Sequence, residues 1–156
     1  MDIKMLRVNG RRLKATLEEM AKIGATSGGG VHRLSVSDED KKARDLFLSW
    51  LREMGLEIII DEMGNVFGKR AGRNDKLPPV LSGSHIDSQP QGGRFDGILG
   101  VLGALEALRT MQENRIETGR PVMIVDWTNE EGTRFSPAMM GSGVWAGKLD
   151  RDWAYG

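Results

Sequence analysis

Apolar residues along this chain recur with two periods, and the switches between those periods divide it into helices and strands. Leu13, Leu17, Met20 and Ala21 fall at helical spacing on one face of a segment that Asn9 can cap and that runs through Ile23 until Gly24 stops it. A second helix opens at Ser37, with Asp40 placed as in a capping box but one carbon shorter than the usual Glu, and runs to Met54 before Gly55. Its apolar positions, Ala43, Leu46, Phe47, Trp50, Leu51 and Met54, read as a core face. Residues 57–61 and 65–69, joined by a Met-Gly turn, predict an antiparallel hairpin in which Gly64 and Asn65 are turn formers without chemistry.

After a polar loop at 71–79 the pattern predicts a strand at 80–84, a helix over 97–113 and a strand at 122–127. That helix is the most apolar segment, so it is expected to lie against the sheet, largely buried. Gly97, Gly100 and Gly103 form one stripe on it, a device for close backbone approach; no Gly-Lys-Ser/Thr follows, which argues against a phosphate loop. A strand–helix–strand crossover of this kind is expected to be parallel and right-handed. Residues 136–147 are glycine-rich, a loop followed by a short helix. These elements specify an α/β fold in which a mixed, partly parallel sheet is flanked by helices.

Composition narrows the picture only slightly. A length of 156 residues accommodates one core, hence one domain or a piece of one. With 22 basic against 22 acidic residues there is no electrostatic reason to expect nucleic acid or an anionic membrane as partner. The absence of cysteine excludes a disulfide framework and suits the cytoplasm. The longest apolar stretch, Ile98 to Leu108, is broken by glycines and Glu106 and is too short to span a bilayer, and the charged first residues lack the apolar core of a signal peptide.

The chemistry gathers where predicted strands end. His85 and Asp87 follow the 80–84 strand, Asp96 stands at the start of the apolar helix, and Glu130 and Glu131 follow the 122–127 strand. Parallel strands put both groups on one sheet edge, where open α/β sheets present functional side chains. Neutral imidazole and carboxylates suit zinc, manganese, cobalt or nickel. Paired divalent ions need a bridging carboxylate, for which Asp96 is the candidate. Asp87 could accept the second ring N–H of His85. One of the adjacent glutamates can bind metal while the other acts as general base. His32 reads as an ordinary loop residue.

The segments Gly83-Ser84-His85-Ile86-Asp87, Pro90-x-Gly92-Gly93-x-x-Asp96-Gly97 and Thr128-Asn129-Glu130-Glu131-Gly132-x-Arg134-Phe135 resemble the amidase/hydantoinase/carbamoylase branch of the M20 metallopeptidase-like hydrolases. Ile23 to Thr26, Ser37 to Gly55, Asp61-x-x-Gly64-Asn65 and Gly141 to Gly143 extend the likeness over the chain. The resemblance implies a zinc-exopeptidase-like three-layer sandwich and an N-terminal portion of a catalytic domain, without the lid and dimerisation domain. It implies two divalent metal ions, with His85 on one, Asp96 bridging, Glu131 on the other, Glu130 as general base and Asp87 supporting His85. Two further histidine ligands of the family lie beyond the point where this chain ends, at Gly156. The implied activity is hydrolysis of a non-peptide C–N bond in a small N-carbamoyl or ureido compound, foremost an N-carbamoyl-L-amino acid. The competing expectations are a non-catalytic binding or assembly module that self-associates, and an M20-type peptidase.

Overall fold

The computed structural model describes residues 5–156, so Met1 to Lys4, where the charged N-terminal stretch begins, lie outside the described residues. In chain order the elements are α1 (Gly10–Met20), α2 (Asp38–Glu53), β1 (Glu57–Ile60), β2 (Val66–Arg70), β3 (Val80–His85), α3 (Ile98–Glu113), β4 (Val122–Trp127), α4 (Met140–Trp145) and α5 (Arg151–Tyr155). The strands form one four-stranded mixed sheet in the order β1-β2-β4-β3. β1 and β2 are the antiparallel hairpin, β2 pairs antiparallel with β4, and β3 lies parallel to β4 with Val80 opposite Val122 and His85 opposite Trp127.

Local chemistry accounts for the element ends. Asn9 accepts a hydrogen bond from the Arg12 N–H, a cap that stabilises a helix by about 1 kcal/mol. The regular helix ends at Met20, and a tight turn with Ile23 N–H on Met20 O carries the chain to Gly24. Gly24 has φ of +73°, and a Cβ there would sit 2.5 Å from His32 O. Ser37 caps α2 through the Asp40 N–H, but the Asp40 carboxylate accepts from Val36 N–H and not from Ser37 N–H, which donates to Leu34 O. α5 lacked an apolar periodicity that could reveal it; Asp150 caps it by accepting from Trp153 N–H.

Helices α1, α2 and α3 cover one face of the sheet. Leu17 and Met20, then Phe47, Trp50 and Leu51, then Val101, Leu102, Leu105 and Leu108 close on Val66 and Ile124 in a single core. Glu106 is buried in α3 and paired with Arg12 of α1 at 2.7 Å, which ties those two helices together. Of the α3 glycines, Gly97 and Gly100 are required by close approach to His85 and Ser84, whereas a Cβ on Gly103 would meet nothing within 4 Å. The opposite sheet face carries Phe67, which meets Trp127 edge to face and lies tilted against Trp145 of α4. Beside that aromatic group an apolar hollow of about 510 Å³ is lined by Ile59, Leu81, Met123 and Trp145. Among the described residues no helix is long and apolar enough to cross a membrane.

A buried charge layer lies between α2 and β4. The Arg44 guanidinium stands 3.1 Å from the Asp126 carboxylate and donates to Thr128 Oγ1 and Gly64 O. Burial pushes the Asp126 carboxyl up to about 7, against the pull of Arg44, with Asp40 and Asp87 raising it further. The folded state therefore holds this proton at pH values where the unfolded chain has released it, and stability must fall as pH rises through that window. Urea midpoints are expected to drop between about pH 4 and pH 7 and then to level off, and Asp126→Asn to flatten the drop. An unchanged profile in the variant would remove Asp126 as its source.

Candidate metal centre

Each functional side chain is set by where an element ends. His85 is the last residue of β3, Glu130 and Glu131 follow β4 after a two-residue turn, and Asp96 precedes the start of α3. Because β3 and β4 are parallel neighbours, both carboxyl ends open on the same edge, as the sequence pattern required. Asn129 adopts the left-handed conformation, φ +53°, and its Nδ2 donates to Phe135 O at 2.7 Å, closing the loop that turns the two glutamates toward β3.

One nitrogen or oxygen from each of His85, Asp96 and Glu131 can be chosen so that all lie within 4.8 Å of one another. His85 Nδ1 is 2.9 Å from the main-chain oxygen of Asp87, which can only accept, so Nδ1 carries the hydrogen and Nε2 presents its lone pair. That nitrogen faces Glu130 Oε2 at 3.3 Å. In the neutral ring, a lone pair turned toward carboxylate oxygens is the arrangement that a bound cation satisfies. Glu131 adds a second sign: its Oε2 accepts from Gln89 Nε2 at 3.0 Å, while its buried Oε1 has no hydrogen-bond partner. The donor set of one imidazole and hard carboxylates, with an orphaned oxygen among them, fits a divalent metal ion.

Asp87 is placed differently from the sequence expectation. Its carboxylate lies 3.6 Å from His85 Nδ1, further than its own carbonyl, and accepts instead from the N–H groups of Glu130 and Glu131 at 3.2 and 3.3 Å. The residue thus steadies the imidazole through its main chain and the glutamate turn through its side chain. Burial raises its carboxyl above the ordinary value, opposed by His85 and by the two N–H bonds. His32 is exposed, with its Nδ1 2.7 Å from Pro90 O, and is absent from the cluster.

Three residues support the site in ways that the sequence pattern does not mark. Gly97, with φ of +64°, leaves room for the His85 ring, since a Cβ there would lie 2.4 Å from Nε2. Asn65, read as a turn former, is fully buried and hydrogen-bonded to three separate segments. Gln89 had no periodicity or spacing to mark it. The glycine loop at 28–30 leads into Val31, which exchanges two main-chain hydrogen bonds with Gly92 and so clasps the segment between His85 and Asp96.

A mixed α/β sheet with an imidazole–carboxylate cluster across two parallel strand ends defines a zinc-exopeptidase-like protein with a candidate metal site. Within that class residues 81–156 match Peptidase family M20/M25/M40, and the solved structures that the whole chain resembles are amidases of the hydantoinase/carbamoylase family. The chain is 50% identical over 149 residues to an N-carbamoyl-L-amino-acid amidohydrolase of Rhizobium meliloti, covering 96% of this chain and 36% of that protein. It is 36% identical over 135 residues to a ureidoglycolate hydrolase of Oryza sativa, covering 86% of this chain and 28% of the relative. A crystal structure of an amidase of the hydantoinase/carbamoylase family from Burkholderia multivorans superposes with a TM-score of 0.94 at 55% identity, over 95% of this chain and 36% of that one. The chain thus spans about 36% of the length of the first of these curated relatives.

Proposed function

We propose that this chain carries part of the catalytic centre of a metal-dependent amidohydrolase that cleaves a non-peptide C–N bond in a small linear amide, foremost an N-carbamoyl-L-amino acid. The observation that carries this reading is the meeting of His85, Asp96 and Glu131, together with the buried Glu131 oxygen that has no hydrogen-bond partner. The likeness to an N-carbamoyl-L-amino-acid amidohydrolase supports the substrate class, and the ureidoglycolate hydrolase supports a ureido group in it.

His85 and Asp96 would hold one divalent ion, zinc or one of manganese, cobalt and nickel, and Asp96 and Glu131 a second, with Asp96 shared. When bound, such ions polarise a carbonyl and lower the pKa of water. Glu130 is the general base: at 33% side-chain exposure it remains open to solvent, and it stands against His85 Nε2. It takes a proton from the attacking water and passes it to the leaving nitrogen. Asp87 holds the Glu130 and Glu131 main chain, which keeps the base and its neighbouring carboxylate aimed at the same point.

Native mass spectrometry of the chain with added zinc or manganese, followed by assays on N-carbamoyl-L-amino acids, ureidoglycolate and dipeptides, tests the reading. Metal binding with release of the carbamoyl group is the expected result. Turnover of dipeptides alone would replace it with the peptidase reading. Glu130→Gln is expected to keep metal while turnover falls roughly 10²–10⁴-fold. Retained turnover would take the base role from Glu130.

The apolar hollow beside Trp145 favours a second reading, an assembly module that works through that face. The same spectra decide this: a defined oligomer without metal or turnover would support it.

A further inference from the structure

We propose that Asn65 is a positioning residue for the turn that carries Glu130 and Glu131, acting on it through Thr128. The proposal rests on the reading of that turn as part of a metal centre. Asn65 sits just before β2 and is fully buried, at 0% exposure. Its Oδ1 accepts from Thr128 N–H at 2.9 Å, and its Nδ2 donates to Asp61 Oδ2 at 2.8 Å and to Gly141 O at 3.1 Å. One planar carboxamide thus joins the hairpin turn, the end of β4 and the start of α4.

The register explains why a side chain is needed there. The β2–β4 ladder ends with Val66 opposite Asp126, so its continuation would set Gly64 against Thr128. The chain instead turns at Gly64, φ +77°, and Asn65 Oδ1 stands in for the main-chain acceptor that the ladder no longer supplies. On the other side of the same segment, Thr128 O, Asn129 O and Glu130 O accept from the N–H groups of Gly141, Met140 and Met139 at 3.0, 3.2 and 2.7 Å. Gly141 is part of the device: a Cβ there would lie 2.2 Å from Asn65 Oδ1 and 2.6 Å from Thr128 O.

With Thr128 fixed by Asn65, and the Glu130 and Glu131 N–H groups fixed by Asp87, the turn has an anchor at each end. Only a carboxamide serves, because the position needs one acceptor and two donations to oxygens. Aspartate would oppose Asp61, and alanine would leave buried groups on three segments unpaired.

The test compares Asn65→Ala with Leu105→Ala, a core truncation in α3 that controls for general loss of stability. Amide hydrogen exchange by NMR on the metal-free chain is the first readout, and zinc affinity by calorimetry the second. In Asn65→Ala the amides of Thr128, Glu130 and Glu131 are expected to exchange roughly tenfold faster relative to the α2 amides, and zinc affinity to fall roughly tenfold. In Leu105→Ala that ratio should hold steady, with zinc affinity changing less than about twofold. Equal behaviour of the two variants in exchange would overturn the proposal. A raised exchange ratio in a chain whose wild type binds no zinc would uphold the positioning and sink the metal reading instead. Should Asn65→Ala fail to fold, Asn65→Ser takes its place under the same criteria.

Discussion

Gly97→Ala is expected to weaken zinc or manganese binding by at least roughly 10–100-fold, the range that loss of ligand support causes in metal sites. The added methyl would lie 2.4 Å from His85 Cε1 and Nε2, so the ring must leave the position from which Nε2 faces the carboxylates. The substitution also places an L side chain at φ +64°, a conformation that costs about 1–3 kcal/mol for residues other than glycine. Both effects act at one point, since Gly97 is the residue between Asp96 and the first turn of α3. Titration calorimetry checks affinity, and circular dichroism checks that the chain is folded. Unchanged affinity in a folded variant would show that His85 is not a ligand.

Arg33→Met is expected to lower folding stability by about 3–5 kcal/mol, because three carbonyls lose their charged donor at about 1–3 kcal/mol each. Arg33 is 1% exposed, and its guanidinium donates to Ile86 O at 2.8 Å, Ile23 O at 2.9 Å and Met20 O at 3.4 Å. Methionine fills much of the volume but donates nothing, so three carbonyls, those of Ile86 and Met20 buried, lose this donor. Arg33 also opposes the buried charges of Asp40, Asp126 and Asp87, while burial pulls its own pKa down. Its main chain pairs with Ser88, and Ile86 O lies next to Asp87, so the loss should spread into the metal loop. The melting temperature is expected to fall by roughly 10 °C for a chain of this size. A loss below about 1 kcal/mol would mean that water replaces the guanidinium at little cost.

Arg33 and Asn65 show where sequence reasoning stops. Nothing in the periodicity of the 28–33 loop distinguishes Arg33 from a solvated surface arginine, and Asn65 after Gly64 has the signature of an ordinary turn. Both are buried because residues distant in the chain close over them, Ile86 in one case and Thr128 and Gly141 in the other. By contrast, β4 at 122–127 and the extent of α3 were readable, because continuous apolar runs bounded by glycine and polar residues leave few alternatives. The apolar spacing predicts α1 through Ile23, beyond its observed end at Met20, since helix and tight turn share that spacing up to Gly24.

The order of chemistry along the chain determined which residues meet. His85 ends one strand and Glu130 and Glu131 follow another, and a parallel crossover leaves both on one edge. Sequence alone also marked Asp96, because it stands where the apolar helix begins. Tertiary structure decided the orientation of those groups and their hydrogen-bond partners. It gave His85 Nδ1 to a carbonyl, sent the Asp87 carboxylate to the glutamate turn and left one Glu131 oxygen without a partner. Periodicity encodes which face of an element is apolar, whereas a hydrogen bond depends on distances and angles between atoms that only the packed chain brings within reach.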